Sequence, residues 1–484
     1  MKNLCILLLL LSATPAFSQK SAASPKQKWQ IYKIAYTSDS TGVALLDYNE
    51  KRSGIVFLSQ DGSIQKELPL PGEVWELAQW RGKVLAFYCD TWGKGWTVKK
   101  NIHALLIDPG TKAIVGDQLI YNNESGNMLD CTVNCDHQGN FHFFLVRTTG
   151  QKGDVGNEKS WKEYNRLRNT VALSAVYFSD SFKPVVVPLT GAAIGADIYL
   201  GNYSNKAGEI GIVSFTKGVI TAEKFGRDGK LQKTVTCPFE YSSDYWDYDN
   251  SIRGMFSPND KDALVFSVAN PDDRSRHRNI GSFVFDFASG QTKTLESVQL
   301  NKDYFRSFKN NPDLEKTKHF KEVEAFRPAG IFFIGDTLVV TKEIRYEEIV
   351  PPPSPVTIWH GNGAIMSFYD KQYQLLHQVF LDKRYEAFMN LGRGLTYHIR
   401  DGKIYAYANI LAGIGRLGNV CFVVNPKSYT VETKTPDWGD VTTSAPTLIE
   451  DMFWFRDKLL EDRTTEHYMF GAHIGSYLVT AAYP

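Results

Sequence analysis

Apolar and polar positions alternate in short runs along most of the chain, and tight polar turns separate the runs. In Gln79-Trp80-Arg81-Gly82-Lys83-Val84-Leu85-Ala86-Phe87 an apolar approach meets a Gly turn and leaves on a second apolar run. Phe333-Ile334-Gly335-Asp336-Thr337-Leu338-Val339-Val340 and His398-Ile399-Arg400-Asp401-Gly402-Lys403-Ile404-Tyr405-Ala406 repeat the pattern. A period of two around a Gly or Asp turn predicts a two-strand hairpin. Related turns lie at residues 136–140, 257–262 and 456–458, with looser ones at 39–42 and 204–209. A second hairpin type alternates with the first. It carries Asp61-Gly62, Asp108-Pro109-Gly110, Asp228-Gly229, Asp286-Phe287-Ala288-Ser289-Gly290 and Asn425-Pro426 at its turns, residues that supply the unusual backbone angles such turns need.

Two hairpins in series make a four-stranded unit. The units recur irregularly, every ~40–75 residues, the sequence mark of a β-propeller with loop insertions. The expected fold is all-β, a single propeller of four-stranded blades over residues 29–484, preceded by a short tail at 19–28. Seven units fall between residues 29 and 435, and 447–484 forms a partial or eighth unit. Seven blades is the preferred count and eight the alternative. Aromatic residues at 13% of the chain suit strands better than helices.

Two stretches carry a family resemblance. Gly254-Met255-Phe256-Ser257-Pro258-Asn259-Asp260-Lys261-Asp262-Ala263-Leu264-Val265-Phe266, with Val284-Phe285-Asp286-Phe287-Ala288-Ser289-Gly290 after it, resembles a TolB-type propeller repeat. Asp260-Lys261-Asp262 stands where that repeat has an Asp-Gly turn. Lys403-Ile404-Tyr405-Ala406-Tyr407-Ala408-Asn409, followed by Val420 to Pro426, is similar to a YVTN-type repeat. Each resemblance covers about one blade. Together they imply a propeller with protein or cell-envelope contacts, and they carry over no catalytic residue.

The first 18 residues break the pattern. Lys2, an apolar run from Leu4 to Leu11, and Ala16 and Ser18 before Gln19 match a secretory signal with its cleavage site. The run falls short of the ~20 residues that span a bilayer. Cys5 sits inside it rather than after a small-residue site, which argues against a lipid anchor. The expected mature protein is exported, periplasmic or extracellular, with no membrane insertion. Lys and Arg number 54 against 53 Asp and Glu. That balance leaves no global field for nucleic acid or an acidic membrane.

Without Cys5, Cys89, Cys131, Cys135, Cys237 and Cys421 remain, an odd number that leaves at least one free thiol or an intermolecular bond. On one continuous strand Cys131 and Cys135 would stand ~13 Å apart, too far for a disulfide; a bend between them would be needed.

Three insertions interrupt the strands. Residues 157–169 place Trp161, Tyr164 and Leu167 at helical spacing, and 303–326 is Lys-rich with aromatic anchors. Pro351-Pro352-Pro353-Ser354-Pro355 reads as a stiff extended loop.

Candidate chemistry is sparse. Gly413-Ile414-Gly415-Arg416-Leu417-Gly418 fits a dinucleotide motif in letters, yet Asn419-Val420-Cys421-Phe422-Val423-Val424 follows as a strand where that site needs a helix. Asp90-Thr91-Trp92-Gly93-Lys94-Gly95-Trp96-Thr97 resembles the Asp box of sialidase-like propellers with altered spacing, and reads as a hairpin tip. Arg274, Arg276, His277 and Arg278 form a basic loop, partly neutralised by Asp272 and Asp273. The ten His are scattered, and zincin, serine-hydrolase and Walker motifs are absent from the sequence.

The most distinctive stretch is Tyr241-Ser242-Ser243-Asp244-Tyr245-Trp246-Asp247-Tyr248-Asp249-Asn250. Its aromatic faces beside carboxylates suit a sugar ring or a peptide, which makes Asp244, Trp246, Asp247 and Asp249 the candidate contacts. Asp247, Asp249 and Ser251 also have the alternate-residue oxygen spacing of calcium loops. Ile252 and Pro258 occupy the places of the EF-hand Gly and Glu. No cofactor is expected, calcium being the one cation this spacing admits. Two function classes follow: a non-catalytic exported propeller that binds a protein or glycan through loops on one face, or an exported propeller enzyme, a glycan hydrolase or lyase, with acids scattered over one face.

Overall fold

The computed structural model of the chain describes residues 30–36, 41–48, 51–59, 63–92, 99–124, 127–135, 139–152, 170–191, 194, 198–239, 252–258, 262–271, 277–295, 326–350, 356–387, 395–413, 416–434, 452–454, 458–464 and 476–482. Their strands pair in chain order into seven four-stranded antiparallel sheets and one three-stranded sheet. Sheet 1 is β1 (Gln30–Tyr36), β2 (Thr41–Tyr48), β3 (Lys51–Ser59) and β4 (Ile64–Pro69). Sheet 2 is β5 (Glu73–Trp80), β6 (Lys83–Trp92), β7 (Lys99–Asp108) and β8 (Ala113–Tyr121). Sheet 3 is β9 (Asn127–Cys135), β10 (Phe141–Lys152), β11 (Thr170–Phe178) and β12 (Pro184–Leu189). Sheet 4 is β13 (Ile198–Ser204), β14 (Ile210–Thr216), β15 (Val219–Phe225) and β16 (Leu231–Pro238). Sheet 5 is β17 (Ile252–Phe256), β18 (Ala263–Pro271), β19 (His277–Asp286) and β20 (Gln291–Thr294). Sheet 6 is β21 (Phe326–Ile334), β22 (Thr337–Val350), β23 (Val356–Tyr369) and β24 (Leu375–Ala387). Sheet 7 is β25 (Thr396–Arg400), β26 (Lys403–Gly413), β27 (Arg416–Val424) and β28 (Val431–Lys434). The last sheet holds β29 (Met452–Trp454), β30 (Lys458–Thr464) and β31 (Ser476–Ala482).

The two hairpin types of the sequence are two positions within each sheet. The first joins strands one and two; the second joins strands three and four. Arg81-Gly82 and Asp401-Gly402 are first-type turns with positive φ at both residues (50° and 71°, 50° and 70°), the geometry that matches strand twist in a two-residue loop. At second-type turns a side-chain oxygen caps the bend. Asp108 Oδ1 accepts from the Gly110 and Thr111 amides at 2.8 and 3.3 Å. Asp286 Oδ1 does the same for Ala288 and Ser289 at 2.9 and 3.1 Å, and Asn425 Oδ1 for Lys427 and Ser428 at 2.9 and 3.4 Å. Such local bonds satisfy backbone donors the ladder cannot reach.

Burial falls from the middle of each sheet to its last strand. Six of the seven residues of β14 are buried, whereas six of the eight of β16 are exposed. Middle strands are covered on both faces, so they read as continuous apolar runs such as Ile-Gly-Ile-Val-Ser-Phe. A separate apolar layer fills each gap between consecutive sheets from 1 to 7. Val43, Ile55 and Phe57 meet Leu77 and Val84 between sheets 1 and 2. Phe87 stacks on Phe144 at 5.3 Å between sheets 2 and 3. Phe143 and Tyr177 meet Ile210 and Phe225 across the next gap, and Phe215 meets Phe266 and Phe285 across the one after. Val265 and Val284 meet Leu338 and Tyr369, and Met366 and Phe368 meet Tyr407 and Phe422. Each fully buried aliphatic or Phe side chain contributes about 1.5–3 kcal/mol. First strands of successive sheets lie beside one another from β1 through β5, β9, β13 and β17 to β21, and β30 lies beside β1. The fold is a β-propeller.

Residues 1–29, 157–169, 303–325 and 351–355, which hold the signal segment, tail and insertions, lie outside the described residues. Phe326, read as the end of the second insertion, opens β21. The Pro-rich stretch joins β22 to β23, two strands of 14 residues each. It therefore connects a long paired hairpin rather than interrupting a blade. Cys131 and Cys135 share β9, and none of the five cysteines described forms a disulfide. Among the described residues no helix is long and apolar enough to cross a membrane.

Candidate functional site

Three first-type hairpins converge. The ends of β9, β13 and β17 bring Asn134, Cys135, Tyr203, Ser204, Asn205, Lys206 and residues 254–258 around one cleft, which encloses about 540 Å³ including its open mouth. Its walls mix an amide, hydroxyls and a rim lysine with Met255, Phe256 and Pro258.

The rim is braced by charge. Asn205 Oδ1 accepts from the Ala207 and Glu209 amides, both at 3.0 Å, and its Nδ2 donates to Glu209 at 2.7 Å. Gly208, at φ 77°, lets the hairpin close. The Lys224 ammonium reaches Glu209 at 3.2 Å and Asp262 at 2.7 Å, which ties the sheet 4 hairpin to the sheet 5 hairpin. Burial opposes the Lys224 charge, but hydrogen bonds and attraction from Asp262 and Glu209 outweigh it and raise its pKa. Tyr177 donates to the Gly208 carbonyl at 3.0 Å. Burial is the main reason its phenol is pushed up to about 12.

Behind the cleft lies a buried polar chain. Asp130 pairs with Arg147 at 2.7 Å, and the Arg147 guanidinium covers the Tyr199 ring at 4.6 Å. Asn202 Nδ2 donates to the Tyr199 hydroxyl, and Asn134 Nδ2 donates to Asn202 Oδ1. Burial holds the Tyr199 phenol well above its ordinary range, against the pull of Arg147. The chain fixes Asn134 in one orientation at the cleft wall. The Tyr203 ring fills the space where Gly254 would carry a Cβ, so that glycine is required by close approach.

The sequence candidates fare differently. Asp244, Trp246, Asp247 and Asp249 lie outside the described residues, as does Ser251. Their segment joins Pro238 to Ile252, the start of β17, whereas the cleft gathers strand ends. Arg274 and Arg276 also lie outside; His277 and Arg278 open β19. Residues 93–98 of the Asp-box-like stretch lie outside, and Trp92 ends β6. Asn419–Val424 is strand, within β27, as its apolar run predicts. Among the described residues no group of three or more His, Cys, Asp or Glu could hold a metal ion. Asn134 and Arg147 belong to the β9–β10 hairpin and Asn202 and Tyr203 to β13; they were missed because neither pair carries a local signal of the other. The turns at 136–140, 204–209 and 257–262 were the available signal.

No protein-family model and no curated protein sequence matches the chain. Solved structures do. The chain is similar to BamB from Moraxella catarrhalis at a TM-score of 0.42 and 10% identity, over 95% of this chain and 99% of that one. It is similar to an oligogalacturonate lyase from Vibrio parahaemolyticus at 0.39 and 10%, over 96% and 92%. The β-propeller domain of the Trilobed protease from Pyrococcus furiosus aligns at 0.37 and 9%, over 85% and 93%.

Proposed function

We propose that the chain is an exported, non-catalytic propeller that holds a protein or glycan partner through loops on one face. The observation that supports this most is the convergence of three hairpins from successive sheets on one cleft, with its rim braced by Lys224 and its wall oriented by a buried polar chain. A rigid frame presents such groups with little ordering cost on binding. The Tyr241 to Asn250 segment is proposed as a contact of its own, through Asp244, Trp246, Asp247 and Asp249, with calcium at Asp247 and Asp249 as its proposed cation. Trp246→Ala tests it. A contact role predicts a loss of about 2 kcal/mol or more in partner binding with an unchanged melting temperature. A drop of roughly 3–5 kcal/mol in stability would instead make Trp246 core and remove the segment from the reading.

A further inference from the structure

We infer that the cleft between the ends of β9, β13 and β17 holds one hydroxyl-rich, uncharged sugar residue of a glycan. This rests on the binding-propeller reading and narrows its partner. Size comes first. A protein interface buries well over ~1,000 Å² in total, whereas this half-open cleft is lined by eleven residues and admits a single ring. Chemistry comes second. Ser204 lines the cleft, and its hydroxyl is buried with no hydrogen-bond partner. A buried hydroxyl without a partner costs stability unless something supplies one. The Asn134 side chain makes one hydrogen bond, to Asn202, which leaves Oδ1 and one N–H for a ligand. Amide and hydroxyl each donate and accept, as does every sugar hydroxyl. Met255 and Pro258, both partly exposed, offer apolar surface to the C–H face of a ring. Among the described lining residues there is no carboxylate, and their single charge, Lys206, is an exposed donor at the rim.

Cys135 is an exposed thiol in the same lining and serves as a reporter. The full mature chain is titrated calorimetrically with neutral gluco-, manno-, galacto-, xylo- and N-acetylglucosamine trisaccharides. In parallel, the rate of Cys135 alkylation by iodoacetamide is followed. At least one trisaccharide is expected to bind and to slow alkylation about fivefold or more. Ser204→Ala should weaken that binding about tenfold, the size of one lost hydrogen bond, with no fall in melting temperature, since its hydroxyl bonds nothing in the free protein. Asn134→Ala should weaken it at least as much. The inference is overturned if no neutral trisaccharide binds, if only acidic sugars do, or if Ser204→Ala leaves affinity and protection unchanged. A protein partner that binds wild type and Ser204→Ala alike would overturn the sugar site while leaving the face-binding reading in place. Absence of any partner for the propeller faces would remove both.

Discussion

Two buried polar clusters sit between neighbouring sheets, and they are built differently. Between sheets 3 and 4, Asp130, Arg147, Tyr199, Asn202 and Asn134 form a chain that ends at the cleft wall. Between sheets 6 and 7, Glu343 and Lys383 form an ion pair at 3% and 0% exposure. Arg327 stands opposite Glu343 in the β21–β22 register, and the Tyr397 phenol, raised above its ordinary range by burial, faces Thr341. The first cluster places its full charges at one end, where the Asp130 side chain keeps 46% exposure, and neutral amides at the other. An amide can wait half-satisfied beside a cleft. The second cluster is sealed, and a sealed charge tolerates no missing partner. A cluster open to solvent is where a ligand can complete the hydrogen bonds; a closed one serves the packing of two blades.

The largest effect expected from this contrast is at Glu343. Glu343→Ala removes the carboxylate paired with the buried Lys383 ammonium and should cost about 3–5 kcal/mol in denaturant unfolding. Replacing both residues together, Glu343→Leu with Lys383→Met, should recover most of the loss. A single variant within ~1 kcal/mol of wild type would break the contrast, because the sealed pair would then be no more sensitive than the open chain.

A smaller effect separates two matched glycines. A Cβ at Gly254 would overlap the Tyr203 ring, and one at Gly330 would come within 2.7 Å of the Tyr397 ring. Gly254→Ala and Gly330→Ala should each cost about 1–3 kcal/mol through overpacking. Only Gly254 lines the cleft, so only its variant should also change ligand affinity. Equal binding by both variants would show that Tyr203 does not shape the cleft.

The smallest effect is a pH dependence. Lys342 neighbours Glu343 but points to the other face of β22. Burial brings its ammonium down to about 8, and no ion pair joins it to another described residue. The folded state therefore disfavours the charged form. That penalty is complete below about pH 8 and fades as pH rises toward the ordinary lysine value of 10.5. Lys342→Met should gain about 1 kcal/mol at pH 7, trimmed by the residue's partial exposure, and nothing near pH 11. A gain that is the same at both pH values would assign the effect to packing instead.

Much of the fold was legible along the chain because hairpins are local. Arg81-Gly82 and Asp401-Gly402 announce strand reversal through backbone angles that few residues accept, and Asp108, Asp286 and Asn425 announce it through their own hydrogen bonds. Asn419–Val424 announced a strand, and its apolar run Val420–Val424 is buried. The cleft was not legible. Its turns at 136–140, 204–209 and 257–262 were visible one at a time, but nothing in any of them names the other two.

The sequence by itself determined the period and the turn chemistry, because these depend on residues a few positions apart, and it left seven and eight units open. Only the tertiary structure decided that Asn134, Asn202 and Tyr199 form one hydrogen-bonded chain. Only it decided that Lys224 spans two blades and that Tyr203 lies over Gly254. Those contacts join residues tens of positions apart in sequence. They form when successive sheets pack face to face, and the side chains that meet there carry no local signal of their partners.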